Sequence, residues 1–212
     1  RLKQEQRTED ARAKAMKTFV AVLYYARPFF QEVFFRPMDR IDPSGTRIRE
    51  AFKSAAAYAG APQVKTDLRW EAMRAVFPGS GDKARAQLPV YVLANDYDQI
   101  VAAVELKRQH KLKMVIVGGL DAPRCGQLLS DEGVAVIVTN VLVPPRRDDS
   151  AYDENYTLPA RLAKVGVRFC IASGDETPHE RNLPYAAAMA AAHGLSPVDA
   201  IRSVTLSAAE IL

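Results

Sequence analysis

Two cysteines, Cys125 and Cys170, are too few for a disulfide framework. No run approaches the ~20 consecutive apolar residues that span a bilayer. Even the dense aromatic cluster from Phe19 to Phe35 is broken by Arg27, Pro28, Gln31 and Glu32, so it is expected to pack against protein and not against a membrane. There is no low-complexity tract and no short-period repeat, which excludes a solenoid. A nucleophile elbow, P-loop, CxxC and HExxH are all missing, and the pair Gly118-Gly119 lacks the spacing of a dinucleotide fingerprint. What remains is a chain of ordinary globular composition, 48% hydrophobic and 25% charged, long enough for one sizeable domain or two small ones.

Its net charge of +4 is unevenly spread. Residues 1–88 carry 17 Lys and Arg against 10 Asp and Glu, a balance of +7, whereas residues 89–212 carry 12 against 15, a balance of −3. Along 1–88 the basic residues alternate with acids at helical spacing and bring no recognition motif. A solvated helix face is expected there, not a nucleic-acid surface. The chain starts at Arg1 with neither Met nor signal peptide and stops in SAAEIL without a closing Gly, Asn or Pro, so a piece of a longer protein is expected. The compartment is not encoded in these residues, and the cytoplasm is the default.

Residues 1–40 read as helix, with Pro28 ending or kinking it near Tyr25–Arg27. Further helices are expected over 47–58, closed by Gly60 and Pro62, and over 67–76, closed by Pro78-Gly79. A linker over 78–87 follows. From Leu88 the pattern changes. Apolar runs at 90–94, 114–119, 134–143 and 167–172 alternate with helical spacing at 96–110, 122–133, 156–166 and 183–194. Each run is rich in Val and Ile and apolar throughout, as in strands covered on both faces. Gly133 and Gly166 stand where helix C-caps belong. This predicts an α/β fold with a parallel sheet, either doubly wound or part of a (β/α)8 barrel. Two segments result: a charged helical one over 1–87, and four βα units over 88–212.

In both architectures ligands gather at the carboxyl ends of the strands. There the sequence places Asn95 and Asp96, Gly118, Gly119 and Asp121, Asn140 with the loop 144–155, and Ser173, Asp175, Glu176 and His179. The loop residues Arg146, Arg147, Asp148 and Asp149 either clamp a charged substrate or form a surface ion cluster. His110 and His193, each at a helix end, read as structural residues interacting with the helix dipole. Cys170 reads as a buried small hydrophobe, and Cys125, near a helix start, as structural.

The run PVYVLANDYDQIVAAVELKRQHKLKMVIVGGLDA resembles strands five and six of a metal-dependent amidohydrolase of the imidazolonepropionase-like branch. VRFCIASGDE resembles strand eight of that barrel. NLPYAAAMAAAHGLSPVDAIRSVTLSAAEIL resembles the helical segment that leads back to the family's small β-domain. The resemblance implies the C-terminal half of a (β/α)8 barrel, with the first half and most of the β-domain outside the chain. It implies hydrolysis of a C–N bond in a small amide or cyclic amide by metal-activated water, zinc being the expected ion.

Asp175 matches the aspartate that shuttles the proton and contacts the metal. Asn95, Asn140, Glu176 and His179 become candidate substrate contacts. Two positions depart from the pattern: where the family places histidine ligands, this chain has Leu93 and Gly118. One ion at most is therefore expected from these residues. The alternative is a non-catalytic, metal-free relative acting as a binding or assembly subunit. A half barrel would leave two strand edges unpaired and its interior open, so residues 1–212 alone are expected to be poorly soluble or to associate, a homo-oligomer being one form of this.

Overall fold

The computed structural model describes residues 46–61, 66–79, 87–139, 141–145, 147–173 and 177–212, without the side chains of 177–179. The helix expected over 1–40 and most of the linker over 78–87 lie outside the described residues. The chain divides into two compact units, residues 1–89 with 108–113, and residues 90–107 with 114–212.

In the first unit, α1 (Thr46–Gly60) buries Phe52, Ala55 and Tyr58, which recur on one face at three-residue spacing. Helix α2 (Leu68–Met73) begins at Asp67, whose side chain caps the Arg69 N–H, and tightens into a 3-10 turn, Arg74–Val76. The Tyr58 hydroxyl donates to Glu71 at 3.0 Å, and the Arg74 Nε donates to the same carboxylate at 3.0 Å, tying the two helices together.

His110, at the end of a helix, also belongs to this unit and is a structural residue packed among aromatic rings. Its ring lies 6.0 Å from those of both Phe52 and Phe77, and its Nε2 is buried with no hydrogen-bond partner. Burial holds its pKa below the ordinary value, which is about 6.5. The consequence for stability has a definite sign. Above that pH both folded and unfolded chains carry a neutral ring. As pH falls below it the unfolded chain takes the proton first, and stability declines until the folded ring also titrates. Urea unfolding followed by the fluorescence of Trp70, the single tryptophan, should show lower stability at pH 5.5 than at 7.5. His110→Phe should flatten that difference, and an equal slope in both proteins would rule out His110 as its source.

The second unit is the sheet. Its strands are β1 (Pro89–Ala94), β2 (Lys113–Gly118), β3 (Ala135–Val138) and β4 (Phe169–Ile171), in the order β1-β2-β3-β4. Between them run α3 (Tyr97–His110), a 3-10 turn (Ala122–Cys125) leading into α4 (Gly126–Asp131), and α5 (Glu154–Lys164). A 3-10 turn (Thr177–Asn182), α6 (Leu183–Ala192), α7 (Pro197–Ser203) and α8 (Leu206–Ile211) follow. The strands are parallel, with Val117 opposite Ile137 and Ile137 opposite Cys170. Among the described strands the order never reverses, so they contain no switch point of the doubly wound kind. Right-handed crossovers that all step the same way put their helices on one face and curl the sheet as part of a TIM-like barrel.

Both faces are apolar because both are covered. Ile116, Val136 and Val138 point toward the helices and are fully buried, as are Ile100, Val104, Leu129, Leu158 and Leu162. On the inner face Val115, Ile137 and Cys170 form a cluster with Tyr91, Val117 and Ala172. Ala208 and Ile211 of α8 pack directly on it. The expected open interior is therefore partly filled by the chain's own last helix. Leu93, on the Tyr91 face of β1, stays 64% exposed.

Strand β3 is shorter than its apolar run. The residues 141–143 form a turn, and Val141 is buried there by packing without belonging to the sheet. Asn155 holds this loop down, donating from Nδ2 to the carbonyls of Val143 at 2.8 Å and Pro144 at 3.3 Å. Gly133 and Gly166 close their helices at positive φ, as the sequence predicts. His193 follows α6 and rests 5.0 Å from the Tyr156 ring. Both thiols are buried: desolvation pushes that of Cys170 up to about 11 and raises that of Cys125, so both behave as small hydrophobes.

Candidate functional site

The carboxyl ends of β1 and β2 form one interlocked corner. Past the strand ends, the Gly119 N–H donates to the Ala94 carbonyl and the Asp121 N–H to that of Asn95, each at 2.9 Å, prolonging the pairing into the loops. Helix α3 then starts with its first amides already occupied. The Gln99 Oε1 accepts from the N–H groups of Asn95 at 2.9 Å and Asp96 at 3.3 Å, the reach-back of a capping box. The Asp121 Oδ2 accepts from the Tyr97 N–H at 3.1 Å.

Asp121 is the electrostatic centre of the corner. It is 6% exposed, so its charge requires a partner. Arg147, from the loop after β3, supplies one as a two-pronged fork, Nη1 to Oδ1 at 3.1 Å and Nη2 to Oδ2 at 3.0 Å. The same Nη2 also donates to Asp96. Arg124 adds a longer contact at 3.7 Å and lies over the Tyr97 ring. The Arg147 hydrogen bonds, outweighing burial, hold the Asp121 carboxyl below its ordinary range. Of the two readings of this loop, the ion cluster is the one Arg147 follows: it pins the loop to the strand ends. Asp148 and Asp149 are exposed. The Arg147 pairing, across 26 and 51 residues, has no local sequence signal.

Asn95 lies at the same corner, half-buried. Its carboxamide rests across Gly118, whose φ is +97°. A Cβ at 118 would stand 2.3 Å from Asn95 Oδ1 and 3.1 Å from its Cγ, so a side chain there would have to displace the Asn95 carboxamide. The backbone at 118, at positive φ, is what favours glycine.

His179 falls in the turn Thr177–Asn182, and Asn140, Arg146, Asp175 and Glu176 lie outside the described residues. Of Asp175 and the four candidate substrate contacts, Asn95 is thus the one whose side chain is placed. Among the described residues no three of His, Cys, Asp and Glu come together as metal ligands. The two positions on β1 and β2 where the family resemblance places histidine ligands do not fit a metal. Leu93 and Gly118 offer no side-chain donor atom.

No protein-family model and no curated protein matches this sequence. Among solved structures, the fold is similar to that of an amidohydrolase from Thermotoga maritima MSB8. The TM-score is 0.67 at 20% identity, over 83% of this chain and 46% of that one. The chain thus spans less than half the length of that protein, and the likeness is one of fold.

Proposed function

We propose that these residues form the second half of an amidohydrolase-type barrel that hydrolyses a C–N bond in a small amide or cyclic amide. The observation carrying this reading is the shared fold. With it goes a polar corner at the strand ends, where such sheets bind ligands. Asp175, just past β4 in the sequence, is the proposed proton shuttle: it takes a proton from the attacking water and delivers it to the departing amine as the C–N bond breaks. It is also the one residue of this stretch left in the ligand role that the family resemblance implies. Those two positions on β1 and β2 contribute no metal ligand, so any ion draws its remaining ligands from elsewhere. Asn140, Glu176 and His179 are proposed to line the substrate alongside Asn95.

A second reading, a metal-free binding or assembly subunit, draws its support from the Asn95 carboxamide lying over Gly118. The two separate on one experiment, metal content of the full-length protein beside Asp175→Asn, with an amide-hydrolysis screen. A tightly held divalent ion and turnover that falls by about a hundredfold or more in Asp175→Asn would support the hydrolase. A folded, zinc-supplied protein with neither ion nor turnover would leave the binding subunit.

A further inference from the structure

We infer that the first unit carries a binding site for a small phenol, in a cavity between the end of α1, residues 77–79 and the end of α3, where His110 and Lys111 meet the hydroxyl. The site shares no residue with the strand-end corner and does not depend on the hydrolytic reading.

Space is the first ground. The cavity holds about 330 Å3 and opens to solvent, with apolar walls from Ala56, Ala59, Phe77 and Pro78. All of its lining residues belong to the first unit. A Cβ added at Gly60 or Gly79, both in the wall, would meet nothing within 4 Å, so open space begins at the backbone itself. That volume is at the lower end for small-molecule sites and suits one aromatic ring with a short apolar substituent.

The polar groups in the wall decide the chemistry. His110 Nε2 is buried without a hydrogen-bond partner beside the Phe52 and Phe77 rings. Nδ1 is thus the nitrogen a ligand can reach, and it too has no partner among the described residues. Burial favours the neutral ring. With the proton on Nε2, toward the aromatic rings, Nδ1 is a hydrogen-bond acceptor.

Lys111 supplies the donor. Among the described residues it is the one non-glycine residue at positive φ, +53°, a conformation that favours glycine. It has no ion-pair partner among the described residues, and no acidic side chain lines the cavity. A cationic ligand would therefore meet only a like charge. A carboxylate accepts and cannot donate, so it would suit Lys111 and face the bare Nδ1. A hydroxyl does both, donating to Nδ1 and accepting from Nζ. Carried on an aromatic ring, it places that ring against Phe77 and the alanine methyl groups.

The test is calorimetric titration of the full-length protein near neutral pH with p-ethylphenol, p-ethylanisole and the p-ethylbenzoate anion, with the His110 imidazole resonances followed in parallel. The phenol is expected to bind about tenfold or more tighter than the other two and to shift the His110 resonances. His110→Phe keeps a ring and loses the acceptor, so the preference over the ether should vanish. Lys111→Gly relaxes the backbone and should reduce the same preference, which serves if the Phe variant does not fold. Gly60→Leu fills the cavity and should abolish binding of the phenol. Absence of saturable phenol binding, equal affinity for phenol and ether, or a preference untouched by the loss of His110 or Lys111 overturns the inference. So does tighter binding of the benzoate, which would make the cavity a site for organic anions.

Discussion

Gly119→Ala lowers the stability of the sheet unit by roughly 2–4 kcal/mol, whereas Gly133→Ala costs only about 1 kcal/mol. Both glycines have positive φ, +71° and +62°, so both variants carry the conformational penalty of an L-residue in the left-handed region. They differ in what surrounds them. A Cβ at Gly119 would stand 2.7 Å from Val136 Cγ1 and 3.3 Å from the Ala122 Cβ, whereas nothing lies within 4 Å of one at Gly133. Val136 and Ala122 are themselves fully buried, so neither can swing into solvent, and the strand ends must part. Paired denaturant curves read by far-ultraviolet circular dichroism measure the contrast. Equal losses in the two variants would mean that the sheet corner relaxes freely around a methyl group.

The Arg147 fork has an effect of similar size and adds a pH signature. Arg147→Ala strands a carboxylate that is 6% exposed. Breaking a buried pair from one side costs about 3–5 kcal/mol. The Arg147 side chain is 36% exposed, and Asp121 keeps the Tyr97 N–H and Arg124. About 2 kcal/mol is therefore the expected loss near neutral pH. Arg147→Leu combined with Asp121→Asn should recover a good part of it, because the amide oxygen can still cap Tyr97.

In the intact protein the Asp121 carboxyl titrates below its ordinary value of about 3.9. Its contribution is therefore fully present above that value and is lost as pH falls through the lower folded one. Arg147→Ala should weaken this acid dependence. A loss below about 0.5 kcal/mol at pH 7, with an unchanged acid limb, would identify the fork as an ordinary surface ion pair.

The alternation of apolar runs and helical spacing was legible in the sequence because burial on both faces leaves a continuous Val and Ile signature in each strand. That signature misjudged β3, since Val141 is buried by a turn and an apolar residue looks the same whichever element buries it. The choice between winding patterns depended on strand order, which no local period encodes. At the site, Asn95 and Gly118 each stood out singly. That one occupies the other's missing side chain needed two further facts: that β1 and β2 are neighbours, and that residue 118 turns to positive φ. The Asp121–Arg147 fork joins residues whose local surroundings read as an ordinary loop.

Helix α8 also has a consequence for synthesis on the ribosome. It packs on Val115, Ile137 and Cys170, yet it follows all four of the described strands. At ~5–20 residues per second, the sheet's inner face waits on the order of seconds between the emergence of β4 and that of residues 206–211. Throughout that interval a parallel sheet with an uncovered apolar face is the species open to its surroundings or to a chaperone. Ala208 and Ile211 thus contribute twice, to the finished core and to how briefly its unfinished form must be shielded.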